Sequence, residues 1–70
     1  MEALIKKAKN GDDKAQFQLG LAYYNGDGVK QNYREAYHWF SKAKEQGNNE
    51  AKNWLVQLIL INILIDGVRY

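Results

Sequence analysis

The sequence predicts an all-α fold, a short α-solenoid of about four antiparallel helices, from two observations. First, Gly11–Ala15 (Gly-Asp-Asp-Lys-Ala) returns 36 residues later as Gly47–Ala51 (Gly-Asn-Asn-Glu-Ala), and Leu19 returns as Leu55. A period in the middle thirties is typical of stacked helix–turn–helix units, which bury their apolar faces only against neighbouring units. Second, the chain has no proline, and glycines with polar capping residues mark where helices begin and end.

The first two helices follow from these signals. Residues Glu2–Asn10 form a short helix that ends at Gly11. Asp12 or Asp13 then caps a second helix that runs to about Tyr24, because a carboxylate at a helix start accepts free backbone N–H groups and interacts favourably with the helix dipole.

A loop and a third helix come next. Gly26 and Gly28 bracket the loop, since both can adopt the positive φ that turns require. Asn32, followed three residues later by Glu35, predicts a capping box that opens a helix through about Gln46.

The fourth helix begins after Gly47, which ends the third as a left-handed glycine. Asn48 or Asn49 caps it. The loop sequence Asp27–Lys30 is repeated as Asp66–Arg69, 39 rather than 36 residues later. We therefore expect this helix to be about one turn longer than the second and to be followed by a loop.

The domain organisation is a single repeat domain over residues 1–70. Residues 1–10 are the closing helix of a preceding repeat, 11–47 are a full repeat, and 48–70 are the first helix and loop of a truncated one. At 100° per residue the predicted core positions of the second and third helices are Ala15, Leu19, Ala22 and Tyr23, then Ala36, Tyr37, Phe40 and Ala43 with Trp39 beside them. Gly20 lies at the edge of the first set, and we expect the ring of Trp39 or Phe40 to cover it.

Composition excludes several classes of function. The chain has no cysteine, which removes disulfides and thiolate metal sites, and its net charge of +2 is too small to indicate a nucleic-acid or anionic-membrane partner. The apolar run over residues 55–65 is shorter than the ~20 residues that span a bilayer, and the charged N-terminus is not a signal peptide. We expect a soluble protein, cytoplasmic by default, without a cofactor.

No catalytic or metal site is predicted either. His38 is the only histidine, and a general base or a metal ligand needs partners that the sequence does not offer. We expect it to be a surface or interhelical packing residue. Consecutive Asp12 and Asp13 are first of all helix caps, and Gly26–Gly28 lacks the lysine and the strand-to-helix context of a phosphate loop. We predict that the protein is not an enzyme.

The residues resemble the Sel1-like repeat, a branch of the tetratricopeptide superfamily, over about half of the chain. The positions that carry the resemblance are Ala15, Leu19, Gly20, Tyr23, Gly26, Gly28, Val29, Ala36, Trp39, Ala43, Gly47 and Ala51. Departures are Asn32 for an acidic residue, Phe40 for tyrosine and Lys44 for alanine, and Val56 replaces the glycine of the next copy. The resemblance implies a right-handed superhelix of helix pairs that acts as an adaptor for protein complexes, without catalysis.

A stripe on the second helix is a candidate for binding a protein or peptide partner. Phe17, Leu21 and Tyr24 recur at i, i+4 and i+7, on the side opposite Ala15 and Leu19. Either this stripe packs against the first or fourth helix, or it lines the inner groove of the solenoid and receives a peptide. The function we predict is protein–protein interaction as an adaptor module.

The fourth helix suggests an alternative function, a self-assembling structural module. From Leu58 to Ile65 only Asn62 is polar, and a helix that is apolar all round must be buried all round. Three preceding helices can cover about one side of it. We therefore expect a homodimer or a higher even-numbered oligomer, with an interface formed by Leu60, Ile61, Leu64 and Ile65.

Overall fold

Four α-helices make up the part of the chain that the computed structural model describes, which is the backbone of residues 1–67 and the side chains of residues 1–64. They are α1 (Glu2–Lys9), α2 (Asp13–Asn25), α3 (Tyr33–Glu45) and α4 (Asn49–Gly67), and no strand occurs within residues 1–67. Each helix packs on its neighbour in sequence, and the α2–α3 contact is the most extensive. The predicted all-α fold with four helices is confirmed.

The ends of α1 and α3 share one geometry, 36 residues apart. Gly11 and Gly47 have φ values of 98° and 94°, and the N–H groups of Asp12 and Asn48 donate to helix carbonyls five residues earlier, each over 3.1 Å. This is the Schellman arrangement, which satisfies carbonyls left free at a helix end. The side chains of Asp12 and Asn48 then accept the backbone N–H three residues later, at 3.1 and 3.0 Å. Each residue therefore ends one helix and starts the next.

The α2–α3 loop turns at the two predicted glycines. Gly26 and Gly28 have φ values of 71° and 79°. Asn32 caps α3 by accepting the backbone N–H groups two and three residues later, at 3.0 and 3.1 Å. Only half of the expected capping box forms, because the N–H of Asn32 donates to the Tyr23 carbonyl at 2.9 Å and not to Glu35. The loop folds back onto the last turn of α2, and that carbonyl is the nearer acceptor.

The core consists of two clusters of buried side chains that meet at α3. The first joins Ala36, Phe40 and Ala43 of α3 to Ala51, Leu55 and Leu58 of α4. The second joins Ala8 of α1, Ala15 and Leu19 of α2, and Trp39 of α3. Neighbouring aromatic residues of α3 therefore serve different interfaces, because Trp39 reaches back to α1 and Phe40 lies between α2 and α4.

Gly20 lies directly beneath the ring of Phe40. A Cβ atom built on Gly20 would lie 2.6 Å from Cδ1 and 2.7 Å from Cε1 of that ring. Real carbon atoms do not approach so closely, so the missing side chain is what lets α3 pack on α2. This confirms the expected aromatic cover and identifies the ring as that of Phe40.

Tyr37 does not belong to the core, contrary to the sequence prediction. Its side chain is 48% exposed, whereas Ala36 and Phe40 beside it are fully buried. Helical periodicity placed Tyr37 on the same side as these residues. In the fold it lies at the margin of that side, where it lines an open cleft beside Leu58 and Asn62 of α4.

The expected loop at Asp66 and Gly67 is also wrong, because both residues belong to α4. The physical reason lies at Asn62, which takes the place of Gly26 in the second copy. Gly26 ends α2 in the left-handed conformation, with φ 71°. Asn62 stays helical instead, since no glycine or proline interrupts the aliphatic run that follows Leu58. The remaining positions of the predicted loop, Val68 and Arg69, lie outside the described residues.

Candidate protein-binding surfaces

The predicted stripe of α2 lies against the core rather than apart from it. Phe17, Leu21 and Tyr24 are all half-buried and pack against the α3–α4 cluster. The ring of Phe17 lies 5.7 Å from that of Phe40. The stripe therefore packs against α3 and α4, whereas the first alternative named the first or fourth helix, and part of each side chain remains accessible.

Tyr24 connects α2 to α4 through an aromatic contact. Its ring meets that of Trp54 edge-on at 5.0 Å and lies 5.4 Å from the ring of Tyr33. Trp54 in turn stacks on Phe40, with ring centroids 6.0 Å apart and planes inclined by 14°. Such pairs contribute about 0.5–1.5 kcal/mol each beyond the area they bury. The chain of rings therefore holds a half-exposed Tyr24 and Trp54 in fixed positions at the surface.

A cleft of about 410 Å³ opens beside these two rings and is lined by Tyr24, Asn53, Trp54 and Gln57. We call it the Tyr24–Trp54 cleft. Asn53 and Gln57 are exposed and one helical turn apart, so that their amide groups flank the Trp54 ring. Sequence reasoning identified Tyr24 and missed the other three residues. The amide pair at i and i+4 around a tryptophan was the signal that could have found them.

A buried polar contact at the other end of the molecule is structural. Gln16 is only 5% exposed, and its Nε2 donates to the Ala8 carbonyl at 3.0 Å. Gln46 donates to the Gln16 side-chain oxygen at 2.9 Å and to the Gly11 carbonyl at 2.8 Å. Both amides thus have partners and fix the α1–α2 turn to the end of α3. Sequence reasoning missed this pair, which lies 30 residues apart.

The predicted oligomer-interface residues of α4 fall in different environments. Leu60 and Leu64 are 49% and 68% exposed, on the side that the preceding helices leave open. Ile61 is half-buried, on the side of the helix that carries Trp54 seven residues earlier. The side chain of Ile65 lies outside the described residues.

Three further aliphatic residues of α4 are exposed that the sequence did not single out. They are Val56, Ile59 and Ile63, with exposed fractions of 48%, 45% and 58%. At 100° per residue they adjoin Leu60 and Leu64 and form one continuous apolar arc. An arc of five large aliphatic side chains is unusual on a surface, which makes it a candidate interaction surface.

His38 and the carboxylates are the side chains to consider for catalysis or metal binding. His38 is exposed and meets Trp39 edge-on at 5.1 Å, which confirms the surface position predicted for it. Side chains 1–64 contain no group of three or more His, Asp or Glu residues placed to hold a metal ion. Within the same part of the chain, no helix has both the length and the hydropathy to cross a membrane.

The 36-residue helical unit and the glycine-mediated contact of its helices define a tetratricopeptide-like repeat. The sequence model of the Sel1 repeat matches residues 13–48, from the first residue of α2 to the start of α4. The chain belongs to the Sel1 repeat family, whose repeats are non-catalytic modules of protein–protein interaction.

Several larger proteins contain similar segments. A putative sel1-like repeat-containing protein of Acanthamoeba polyphaga mimivirus is 44% identical over 41 residues, 59% of this chain and 7% of that protein. DAP3-binding cell death enhancer 1 of Rattus norvegicus is 40% identical over 48 residues, 69% of this chain and 9% of that protein. Secretory immunoglobulin A-binding protein EsiB of Escherichia coli O6:H1 is 51% identical over 43 residues, which are 61% of this chain and 9% of that protein. The chain thus spans less than a tenth of these relatives. No solved structure matches it significantly.

Proposed function

We propose that the chain is an adaptor that binds an extended segment of a protein partner in the Tyr24–Trp54 cleft. The observation that carries this proposal is the pairing of two half-exposed aromatic rings with two free side-chain amides in one opening. A concave site lined mainly by apolar surface, with a few polar groups that fix orientation, is the usual form of a binding site.

The chemistry of the cleft suits a peptide backbone. Asn53 and Gln57 each offer a carbonyl oxygen and an NH₂ group, which can pair with the N–H and C=O groups of an extended chain. The rings of Tyr24 and Trp54 offer a rigid apolar contact for one side chain of that peptide, at small entropic cost. The preferred partner is therefore an extended segment with an aromatic or aliphatic anchor.

The three residues of the α2 stripe have separate roles in this proposal. Tyr24 contacts the partner. Phe17 does not contact the partner. It packs on the Phe40 ring, which in turn supports the ring of Trp54. Leu21 lines a neighbouring cleft between α1 and α2, beside Met1 and Leu4, and extends the apolar surface in that direction.

The names of two relatives support a binding role. EsiB is named for binding secretory immunoglobulin A, and the cell death enhancer is named for binding DAP3. The same proposal includes a non-catalytic role and a cytoplasmic location. The chain has no cysteine, which is compatible with that location.

The experiment is a selection of a random extended-peptide library on the purified chain, followed by affinity measurements on the selected peptides. We expect the combined Asn53→Ala and Gln57→Ala substitutions to weaken binding about tenfold or more, since two peptide hydrogen bonds are lost. Both side chains are exposed, so the fold should persist.

The matched control is Asn62→Ala, an exposed amide on α4 outside the Tyr24–Trp54 cleft. It should leave the affinity unchanged. Selected peptides that bind the Asn53→Ala, Gln57→Ala chain as tightly as the parent would show that the cleft is not the binding site.

A second candidate function, self-assembly through α4, rests on the exposure of Leu60 and Leu64. Each of these leucines gains about 1.5–3 kcal/mol when fully transferred from water to an apolar contact. A second copy of the chain offers the same surface in return. This candidate uses residues that do not line the Tyr24–Trp54 cleft.

A further inference from the structure

A groove of about 310 Å³ runs between α3 and α4 on the side away from the Tyr24–Trp54 cleft. We call it the α3–α4 groove. The lining residues used below are Ser41 and Lys44 of α3 with Lys52, Leu55, Val56 and Ile59 of α4. Val56 and Ile59 are 48% and 45% exposed, so the groove is apolar along α4 and open.

Each of these residues lies 36 positions after a residue of α1 or α2 that faces α3. The corresponding residues are Ile5, Ala8, Gln16, Leu19, Gly20 and Tyr23. Ala8 and Leu19 share the buried cluster of Trp39, and Ile5 and Tyr23 pack against that cluster. Gly20 lies under Phe40, and Gln16 is hydrogen-bonded to Gln46. Six of the eight residues that line the α3–α4 groove, all except Tyr37 and Glu45, are therefore equivalent to residues of the surface on which α3 itself packs.

We propose that the α3–α4 groove binds an amphipathic α-helix of a protein partner, in the orientation that α3 takes on α1 and α2. The inference rests on the proposed protein-binding function and adds a second surface to it. A helix in an apolar groove is a recurrent mode of recognition, in which side chains at i, i+3, i+4 and i+7 anchor the contact.

The first difference between the two surfaces defines the anchor residue. Val56 replaces Gly20, where even a single Cβ atom would come within 2.6 Å of the Phe40 ring. Because Val56 occupies the equivalent position, a helix that carries an aromatic residue in the place of Phe40 cannot fit in the groove. The occupant carries a small or aliphatic residue there.

The second difference defines the charge of the occupant. Lys44 and Lys52 replace Ala8 and Gln16, the residues that lie near Gln46 at the end of α3. The other charged residue of the groove is Glu45, which leaves an excess of one positive charge. Lysine offers donors only, so the occupant has a carboxylate in the place of Gln46.

These requirements exclude α1 and α3 of a second copy as occupants. The helix α3 of another copy would bring its Phe40 ring against Val56. The helix α1 would bring Lys6, Lys7 and Lys9 towards Lys44 and Lys52, because α1 precedes α3 by one period. Lys7 would also take the position of Ala43, which is fully buried. The partner is a different, acidic helix.

The probe for this proposal is a helical peptide of the α3 sequence, residues 33–46, with the changes Phe40→Ala and Gln46→Glu. A hydrocarbon staple in place of His38 and Lys42, both exposed in α3, keeps so short a peptide helical. The control peptide carries the same staple but keeps Phe40 and Gln46. Fluorescence anisotropy of labelled peptides measures their affinities for the whole chain.

We expect the affinity of the changed peptide to be at least about tenfold higher than that of the control. The changed peptide removes one clash and adds one ion pair in the groove. Ile59→Lys in the chain should abolish this binding. Val56→Gly should raise the affinity of a peptide that keeps Phe40, which a nonspecific apolar contact would not do. Lys52→Glu should reverse the preference between Gln46→Glu and Gln46→Lys peptides. Circular dichroism checks that each variant remains helical.

Equal affinities for both peptides, or a preference that Val56→Gly and Lys52→Glu leave unchanged, would overturn the proposal. The extended peptides selected on the Tyr24–Trp54 cleft serve as the reference, because Ile59→Lys should not affect them. If they bind while the helical peptides do not, the helix-binding groove is wrong and the adaptor function stands. If neither kind of peptide binds, both proposals fail.

Discussion

At the scale of single residues, the contact between Gly20 and Phe40 sets the distance between α2 and α3. A glycine inside a helix costs about 1 kcal/mol relative to alanine. Here the cost is offset because the fully buried Phe40 ring occupies the space of the missing side chain. The residue that is worst for the isolated helix is thus the one that the helix pair requires.

The prediction at this scale concerns Gly20→Leu. Leucine favours the helix but must displace the Phe40 ring, and we expect overpacking to lower the free energy of unfolding by about 1–3 kcal/mol. The control is Gln18→Leu, which places the same side chain on an exposed position of α2 and should change stability by less than about 0.5 kcal/mol. Urea titration measures both. A Gly20→Leu variant that is more stable than the parent would contradict the close approach.

At the scale of elements, the residue after each boundary glycine ends one helix and begins the next. Asp12 and Asn48 use their N–H groups in the first role and their side chains in the second. Since each of these bonds joins residues no more than five positions apart, the sequence around each boundary is enough to form it. This is why the helix starts could be predicted to within one residue.

The prediction at this scale separates the two asparagines at the start of α4. Asn48→Ala removes the acceptor of the Ala51 N–H, and we expect a loss of about 0.5–2 kcal/mol of stability. Asn49→Ala replaces an exposed first-turn residue with a better helix former and should be close to neutral. Equal losses in thermal melts of the two variants would contradict Asn48 as the cap.

At the scale of the whole molecule, α4 is the element that the rest of the described chain covers least. Ala51, Leu55 and Leu58 pack on α3, while Leu60 and Leu64 are exposed. An unpaired apolar arc on the last described helix of a solenoid offers a contact for another copy, because stacked repeats depend on neighbours for burial.

The prediction at this scale is the mass in solution. If α4 pairs with a second copy, the parent should be a dimer or a higher even-numbered oligomer by light scattering, and the double variant Leu60→Lys, Leu64→Lys should shift towards monomer. Asn62→Lys is the control, since it adds a charge to the same helix on a different face. A parent that is monomeric at high concentration would contradict self-assembly.

The sequence by itself determined the four helices, the repeat and the helix boundaries other than the end of α4. These features depend on signals a few residues apart, such as Gly47 before Asn48, or on a comparison of the chain with itself. It also determined that Gly20 receives an aromatic ring, because a glycine destabilises the interior of a helix unless a neighbouring side chain fills the space it leaves. The stripe of α2 could be found in the same way, although its pattern fits packing and binding equally.

Only the tertiary structure decided which faces are open. From Leu58 to Leu64 only Asn62 is polar, so the sequence of this part of α4 does not indicate which side is buried. The contacts with α3 separate buried Leu58 from exposed Ile59. The pairing of Tyr24 with Trp54 and of Gln16 with Gln46 joins residues 30 apart, beyond the reach of any local pattern. The proposed binding surfaces are therefore properties of how the helices stack, since side chains from different helices form them together.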